Sequence, residues 1–208
     1  MTTQTPLTVG FDLDMTLIDS RSGIARAYEL LAEETGTAID TALVVSRLGP
    51  PVEIEMANWF PADQVPAMSD RYRQLYAVHG VAGVVPLPGA VDALAAVRAA
   101  GGRSVVVTGK YAPNARLNLD AVAMRVDALH GNVFGTGKAD ALRAEGARVY
   151  VGDHLGDVEG AREADAYAVA VTTGPYDAAS LRAAGADVVL ADLTEFPAWL
   201  VGYLADQG

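Results

Sequence analysis

The chain contains no cysteine among its 208 residues. A protein without cysteine has no disulfide framework, no thiol nucleophile and no thiolate metal site. Basic residues are also scarce, with 15 Lys and Arg against 26 Asp and Glu and a formal net charge of −11. This balance disfavours binding to nucleic acid or to anionic membranes, because both require a basic face. A phosphate group would therefore be bound by a few local cations, backbone amides and a metal.

Long apolar runs are missing as well. The longest candidate, 81–91, is interrupted by two glycines and two prolines, whereas a membrane-spanning helix needs about 20 apolar residues. The polar start, Met1 to Thr8, has no cationic patch, so we expect no signal peptide. We therefore expect a cytoplasmic protein, a monomer or a homodimer, that binds neither a membrane nor nucleic acid.

The pattern of apolar residues changes once along the chain. Hydrophobic residues make up 51% and charged residues 20%, which is typical of a folded globular protein. One predicted strand is followed by four helical patterns up to about residue 80, which indicates an inserted helical module. From residue 90 onward helices and strands alternate, which predicts an α/β fold with a parallel sheet.

The first predicted strand, Leu7 to Asp12, is followed by a second aspartate, Asp14. Residues i and i+2 of a strand point to the same side, so the two carboxylates are expected close together. The carboxyl end of a strand in a parallel sheet is where ligands bind. Two neighbouring carboxylates repel each other and require a metal, a shared proton or a basic partner. The alternative is a strand that ends in solvated turn aspartates.

Polar residues also end two later predicted strands. Thr108 and Gly109 follow one of them, and Asp153 follows another, with Asp157 one helical turn later. Because parallel strands end at one edge of a sheet, these residues are expected to converge with the first aspartate pair. Carboxylate oxygens are ligands that suit magnesium. Helix capping by Asp153 and Asp157 is the alternative interpretation.

Only two lysines occur, Lys110 and Lys138. Lys138 lies at the start of a predicted helix, where a cation opposes the helix dipole, so we expect it to neutralise a phosphate or an aspartate. A cation, a threonine and several carboxylates suit phosphoryl transfer. One carboxylate would attack phosphorus to form an aspartyl-phosphate, and a second acid would protonate the leaving oxygen and then activate water.

In order and spacing, these residues resemble the four motifs of the haloacid dehalogenase superfamily: Asp12-Leu13-Asp14-Met15-Thr16, Thr108, Lys138, and Gly152-Asp153 through Asp157. The pairs Asp19-Ser20 and Pro88-Gly89 are similar to its phosphoglycolate phosphatase-like branch. The resemblance implies a Rossmann-like parallel-sheet core, a three-layer α/β/α arrangement over residues 1–19 and 86–208. It also implies an α-helical cap domain over residues 20–85.

The resemblance further implies catalytic roles. Asp12 would be the nucleophile and Asp14 the general acid and base. Thr108 would bind the phosphoryl group, and Lys138 would stabilise it and orient Asp12. Ala-Asp rather than Pro follows Lys138, which makes Lys110 the alternative cation.

A magnesium ion is the implied cofactor. Its ligands would be the Asp12 carboxylate, the Asp14 backbone carbonyl, Asp153, and Asp157 directly or through water. The remaining candidates are substrate contacts: Thr16, Gly109 and Lys110 in the core, and Arg47 and Gly49 in the cap. Arg47 could clamp an anionic substrate, or it could be an ordinary surface arginine.

The predicted function is therefore a magnesium-dependent phosphatase of a small phosphorylated metabolite, with a phosphoglycolate-like substrate as the first expectation. Asp14 disfavours a dehalogenase, and the absence of lysine from residues 20–85 excludes a Schiff base on the cap. A sugar-phosphate mutase on the same scaffold remains an alternative, as does a non-catalytic binding protein. A receiver-like domain is disfavoured, since it lacks the long helical insertion.

Overall fold

The computed structural model describes residues 7–206. Positions 1–6, which include most of the polar start, and positions 207–208 of the predicted core lie outside the described residues. Between residues 7 and 206, no helix has both the length and the apolar character needed to cross a bilayer.

Eight strands are present in the described chain: β1 (Thr8–Phe11), β2 (Ile18–Asp19), β3 (Val85–Pro86), β4 (Arg103–Val107), β5 (Ala128–His130), β6 (Val149–Gly152), β7 (Tyr167–Val171) and β8 (Val188–Leu190). Six of them form one sheet in the order β5-β4-β1-β6-β7-β8, and every pairing in it is parallel. The predicted parallel α/β fold is confirmed. β1 is shorter than expected, and Asp12 follows it directly.

Ten α-helices accompany the strands within residues 7–206: α1 (Arg21–Thr35), α2 (Thr41–Ser46), α3 (Val52–Met56), α4 (Val65–Leu75), α5 (Ala90–Ala99), α6 (Ala112–Ala121), α7 (Lys138–Glu145), α8 (Leu155–Glu163), α9 (Ala178–Ala183) and α10 (Phe196–Asp206). A wide helical turn, Tyr76–Gly80, continues α4. Helices α1 to α4 lie between β2 and β3, which pair as a short antiparallel ribbon. The chain thus leaves the sheet after β1 and returns through β3.

Apolar residues cover both faces of the large sheet. Successive side chains of a strand point to opposite faces, and in β6 Val149 and Val151 face one cluster whereas Tyr150 faces the other. The first cluster includes Phe196 of α10, and the second includes Leu142 of α7. Helices therefore pack on both sides of the sheet, as in a three-layer α/β/α fold. Burying each such side chain contributes about 1.5–3 kcal/mol.

Helices α1 to α4 have an apolar cluster of their own. It includes Ile24, Leu31, Val44, Met56 and Tyr76 and is separate from the two clusters on the sheet. This separate core supports the predicted division into a sheet domain and a helical cap, whose boundaries stay a prediction.

Candidate active site

Three adjacent strands place polar residues at one edge of the sheet. Asp12 follows β1, Thr108 follows β4 and Asp153 follows β6, and β1 lies between the other two strands. The parallel pairing brings their carboxyl ends together, as expected from the sequence. Asp12 and Thr108 border a cavity of about 300 Å³. Its other lining residues come from Asp14, from the helical segment between residues 24 and 76, and from Gly109 to Tyr111, Asn114 and Asn132.

Lys138, the first residue of α7, lies at the centre of a buried polar cluster. Its Nζ donates to Asp12 Oδ1 at 2.8 Å, to Asp157 Oδ1 at 2.6 Å and to the Tyr150 hydroxyl at 2.8 Å. Lys138 is only 2% exposed, and a cation this deeply buried requires anionic partners. Although burial lowers the pKa of Lys138, the carboxylates of Asp12 and Asp157 raise it above its ordinary value. Lys138 is therefore a permanent cation beside Asp12.

Three carboxylates surround a space suited to a cation. Asp12, Asp153 and Asp157 each offer one oxygen, and these oxygens lie within 4.8 Å of one another. Burial raises the pKa of Asp12, which Lys138 opposes, and burial together with Asp157 and Asp12 raises the pKa of Asp153. Three carboxylates with one lysine leave an excess of buried negative charge. A divalent cation would remove this excess, and an all-oxygen donor set fits magnesium.

The two carboxylate oxygens of Asp157 have different partners. Its Oδ2 accepts hydrogen bonds from the backbone N–H of Asp153 at 3.1 Å and of His154 at 3.0 Å, and so caps the start of α8. Its Oδ1 faces Lys138. The capping alternative and the site role drawn from the sequence are thus compatible, because the two oxygens point to different partners.

Asp14 has a different partner from Asp12. Lys110 Nζ lies 3.0 and 3.2 Å from its two carboxylate oxygens, and Ser20 donates a hydrogen bond to it. The Lys110 ammonium also lies 4.1 Å from the centre of the Tyr76 ring. The expectation that two neighbouring aspartates need a basic partner is met by two separate lysines, one for each.

A tight turn follows Asp14. Met15 has a φ of +62°, in the left-handed region, so the chain reverses just after Asp14. Thr16 is then 0% exposed, and its hydroxyl donates to Asp153 Oδ1 at 2.7 Å. The Thr16 hydroxyl thus points to the end of β6, and the predicted contact of Thr16 with substrate stays a prediction.

The other four predicted substrate contacts line the cavity: Arg47, Gly49, Gly109 and Lys110. Arg47 is ion-paired with Glu55 at 2.6 Å. Gly109 and Gly49 approach closely, since a Cβ on Gly109 would lie 2.8 Å from the Gly49 carbonyl oxygen. A side chain at Gly109 would therefore push the loop after α2 away from the sheet.

Tyr150 is a site residue that sequence reasoning did not identify. Its hydroxyl donates to the Val107 carbonyl at 2.6 Å and accepts from Lys138. A tyrosine within an otherwise apolar buried strand is the signal that could have found it, because a buried hydroxyl needs a partner.

Comparison with known proteins agrees with this geometry. A family model described as haloacid dehalogenase-like hydrolase matches residues 9–162, and a second, described as HAD-hydrolase-like, matches residues 134–196. The chain is 30% identical to a phosphoglycolate phosphatase from Caulobacter vibrioides, over 91% of this chain and 89% of that protein.

Solved structures share the fold. A predicted phosphatase from Clostridium acetobutylicum has a TM-score of 0.82 at 23% identity, covering 96% of this chain and 100% of that one. A haloacid dehalogenase-like family hydrolase from Streptococcus pneumoniae has a TM-score of 0.80 at 24% identity, covering 96% and 98%. The family model spans the residues of the buried cluster, from Asp12 to Asp157. The chain therefore belongs to the haloacid dehalogenase-like hydrolase family.

Proposed function

We propose that this hydrolase is a magnesium-dependent phosphatase that acts on a small phosphorylated metabolite through an aspartyl-phosphate. The observation that carries the proposal is the buried cluster of Asp12, Asp153 and Asp157 beside one lysine, in which Asp12 also lines the cavity. When bound there, magnesium would supply charge stabilisation for the phosphoryl oxygens. Asp12 and Asp153, the Asp14 backbone carbonyl and Asp157 are its proposed ligands.

Asp12 is the proposed nucleophile. Its free carboxylate oxygen forms a bond to phosphorus while the bond from phosphorus to the leaving oxygen breaks. Lys138 holds the other oxygen, Oδ1, at 2.8 Å and so orients the carboxylate. Fixing the attacking group in this way lowers the entropic cost of the reaction.

Asp14 is the proposed acid and base. Its protonated carboxyl donates a proton to the departing oxygen in the first step. In the second step the carboxylate takes a proton from the water that attacks phosphorus, and the bond between phosphorus and Asp12 breaks to release phosphate. Lys110 and Ser20 hold Asp14 in place.

Thr108 and Gly109 are proposed to bind the phosphoryl oxygens. Thr108 is 1% exposed overall and follows β4 at the cavity floor. Its hydroxyl and the neighbouring backbone N–H groups are donors for an anion in a site of low dielectric. The helical module would cover the cavity during reaction and exclude water.

The relative's name makes phosphoglycolate the reference compound for a substrate panel. Release of inorganic phosphate is measured with magnesium and with a chelator, for the protein and for Asp12→Asn. We expect magnesium-dependent release that falls at least about 10³-fold in Asp12→Asn, because the nucleophile is lost. The exposed Asp63 provides a matched control, since Asp63→Asn makes the same chemical change on the surface.

Equal release by Asp12→Asn and the unsubstituted protein would overturn the proposed mechanism. Magnesium-dependent transfer of the phosphoryl group to a sugar hydroxyl, without release of phosphate, would identify a mutase instead.

A further inference from the structure

Arg47 reaches the cavity from the end of α2, and its charge is already neutralised. The Arg47 guanidinium lies 2.6 Å from Glu55 Oε1. The same Glu55 oxygen accepts a hydrogen bond from the Trp59 indole at 2.8 Å, and the Glu55 side chain is only 14% exposed. Two donors hold this carboxylate, so it is a fixed partner of Arg47 and not a loose surface group.

Arg73 of α4 is the second arginine on the cavity wall. It pairs with Glu53, and with Asp70 at 2.8 Å. Its guanidinium also lies 4.9 Å from the centre of the Tyr111 ring, and its side chain is 17% exposed. Arg73 is therefore held in place by two carboxylates and an aromatic ring.

Among the described lining residues, each cation has an anionic partner on the protein. The third is Lys110, which pairs with Asp14 at 3.0 Å. The carboxylates Glu53 and Glu55 themselves border the cavity. The cavity wall therefore has no excess positive charge to balance a second anionic group of a substrate, although Arg73 Nε has no hydrogen-bond partner. An anionic group without a balancing cation is costly where water is excluded.

Uncharged polar side chains also line the cavity, most of them from the sheet domain. Tyr28, Asn114, Tyr111 and Asn132 line the cavity together with apolar residues. Hydroxyl and amide groups suit the hydrogen-bonding pattern of a hydroxylated molecule. The cavity volume of about 300 Å³ lies at the lower end of the usual range for small-molecule sites, about 300–1,000 Å³.

Resting on the proposed phosphatase activity, we infer that the leaving group of the substrate is uncharged and hydroxylated, and that the cap wall discriminates against a leaving group with a carboxylate. The paired arginines Arg47 and Arg73 carry this inference. Phosphoglycolate, which the relative's name contains, has a leaving group with a carboxylate. The inferred selectivity therefore differs from that implied by the name. The difference concerns the leaving group and not the phosphoryl group.

The test uses two matched pairs of phosphomonoesters. The compounds 2-hydroxyethyl phosphate and 2-phosphoglycolate differ only in a terminal hydroxymethyl or carboxylate group, and so do glycerol 3-phosphate and 3-phosphoglycerate. Each is measured with magnesium as a substrate and as a competitive inhibitor of p-nitrophenyl phosphate hydrolysis, so an order of affinity is obtained even where turnover is slow. We expect the uncharged member of each pair to be favoured by at least about tenfold, the cost of one unpaired charge.

The variant Glu55→Gln sharpens the test. It leaves the hydrogen-bond acceptor for Trp59 but removes the charge that neutralises Arg47, so the preference should shift toward the carboxylate compounds by about tenfold. Glu163→Gln is the control, because Glu163 pairs with Arg143 away from the cavity; its preference should be unchanged.

Tighter binding or faster turnover of the carboxylate compounds by the unsubstituted protein would overturn the inference. An unchanged preference in Glu55→Gln would show that the ion pair of Arg47 and Glu55 does not cause the preference. The proposed phosphatase function fails separately, if no compound, p-nitrophenyl phosphate included, shows release that depends on both magnesium and Asp12.

Discussion

The two lysines of this chain form the same kind of ion pair in two different surroundings. Lys138 is 2% exposed and shared between Asp12 and Asp157, all within the sheet domain. Lys110 pairs with Asp14 alone, and its ammonium lies over the Tyr76 ring, which belongs to the helical module. One pair is thus internal to the sheet domain, and the other joins the sheet domain to the helices.

The two ion pairs therefore differ in whether their surroundings depend on the position of the helical module. The geometry of Asp12 depends on groups that the sheet and its adjoining helices fix in place. The geometry of Asp14 depends in addition on where Tyr76 lies, and hence on the position of the helical module. A module that moves would therefore change the surroundings of the acid and base and leave those of the nucleophile unchanged.

Removing the internal cation should have the largest effect. In Lys138→Met, the buried carboxylates of Asp12 and Asp157 lose their cation, and we expect the free energy of unfolding without magnesium to fall by about 3–5 kcal/mol. Magnesium should restore part of this loss, because it neutralises the same carboxylates. Thermal unfolding with magnesium and with a chelator measures both effects, and an equal Tm shift on adding magnesium to the variant and the unsubstituted protein would contradict them.

Replacing the acid and base should mainly reduce turnover, with a loss of stability of about 1–2 kcal/mol because Lys110 loses its anionic partner. In Asp14→Asn we expect kcat for alkyl phosphates to fall by about 10²–10⁴-fold, because a poor leaving group needs the proton. Aryl phosphates should lose much less, since their leaving group departs without protonation. Measuring kcat for one alkyl and one aryl compound decides the matter, and equal losses would argue against the acid role.

Removing the bridging cation should cost less than removing the internal one. In Lys110→Met we expect a loss of about 1–2 kcal/mol in the free energy of unfolding, because one charged hydrogen-bonded partner is lost from a partly buried pair. Chemical denaturation of Lys110→Met beside Lys138→Met makes the comparison directly. A larger loss of stability in Lys110→Met than in Lys138→Met would contradict this difference between the two ion pairs.

An effect on stability as small as that of Lys110→Met is expected at Tyr150. Its hydroxyl accepts from Lys138 and donates to the Val107 carbonyl, so Tyr150→Phe removes two hydrogen bonds and keeps the ring. We expect a loss of about 1–2 kcal/mol in stability and a modest fall in kcat, with KM unchanged, because Lys138 loses one of its restraints. Conversely, a rise in KM without a change in kcat would place Tyr150 in substrate binding.

A few residues were enough to predict the family and the parallel sheet from the sequence. Asp12, Thr108 and Asp153 follow predicted strands, and parallel pairing alone requires their ends to meet. The predicted membership of the haloacid dehalogenase superfamily is confirmed by the family model and by the relative. The individual roles of the site residues stay predictions, which the variants described above address.

The sequence did not indicate which partner each individual side chain in the site contacts. Asp12 and Asp14 were expected to need a metal, a shared proton or a basic partner, but which lysine would meet which aspartate was not predicted: Lys138 contacts the first and Lys110 the second. Thr16, whose contact with substrate stays a prediction, is buried with its hydroxyl on Asp153. The left-handed turn at Met15 directly precedes Thr16 and helps to place it. No residue type in the sequence indicates this turn, since Met is not a residue that favours a positive φ.

By itself, the sequence determined which chemical groups arrive at the edge of the sheet, because strand periodicity and parallel connections depend on local patterns of apolar residues. It also determined that only two lysines could balance the aspartates. The tertiary structure alone decided which lysine meets which aspartate, and that both arginines on the cavity wall are already paired. Those choices depend on distances of a few ångströms between residues far apart in the chain, and only the packing of the whole fold sets such distances.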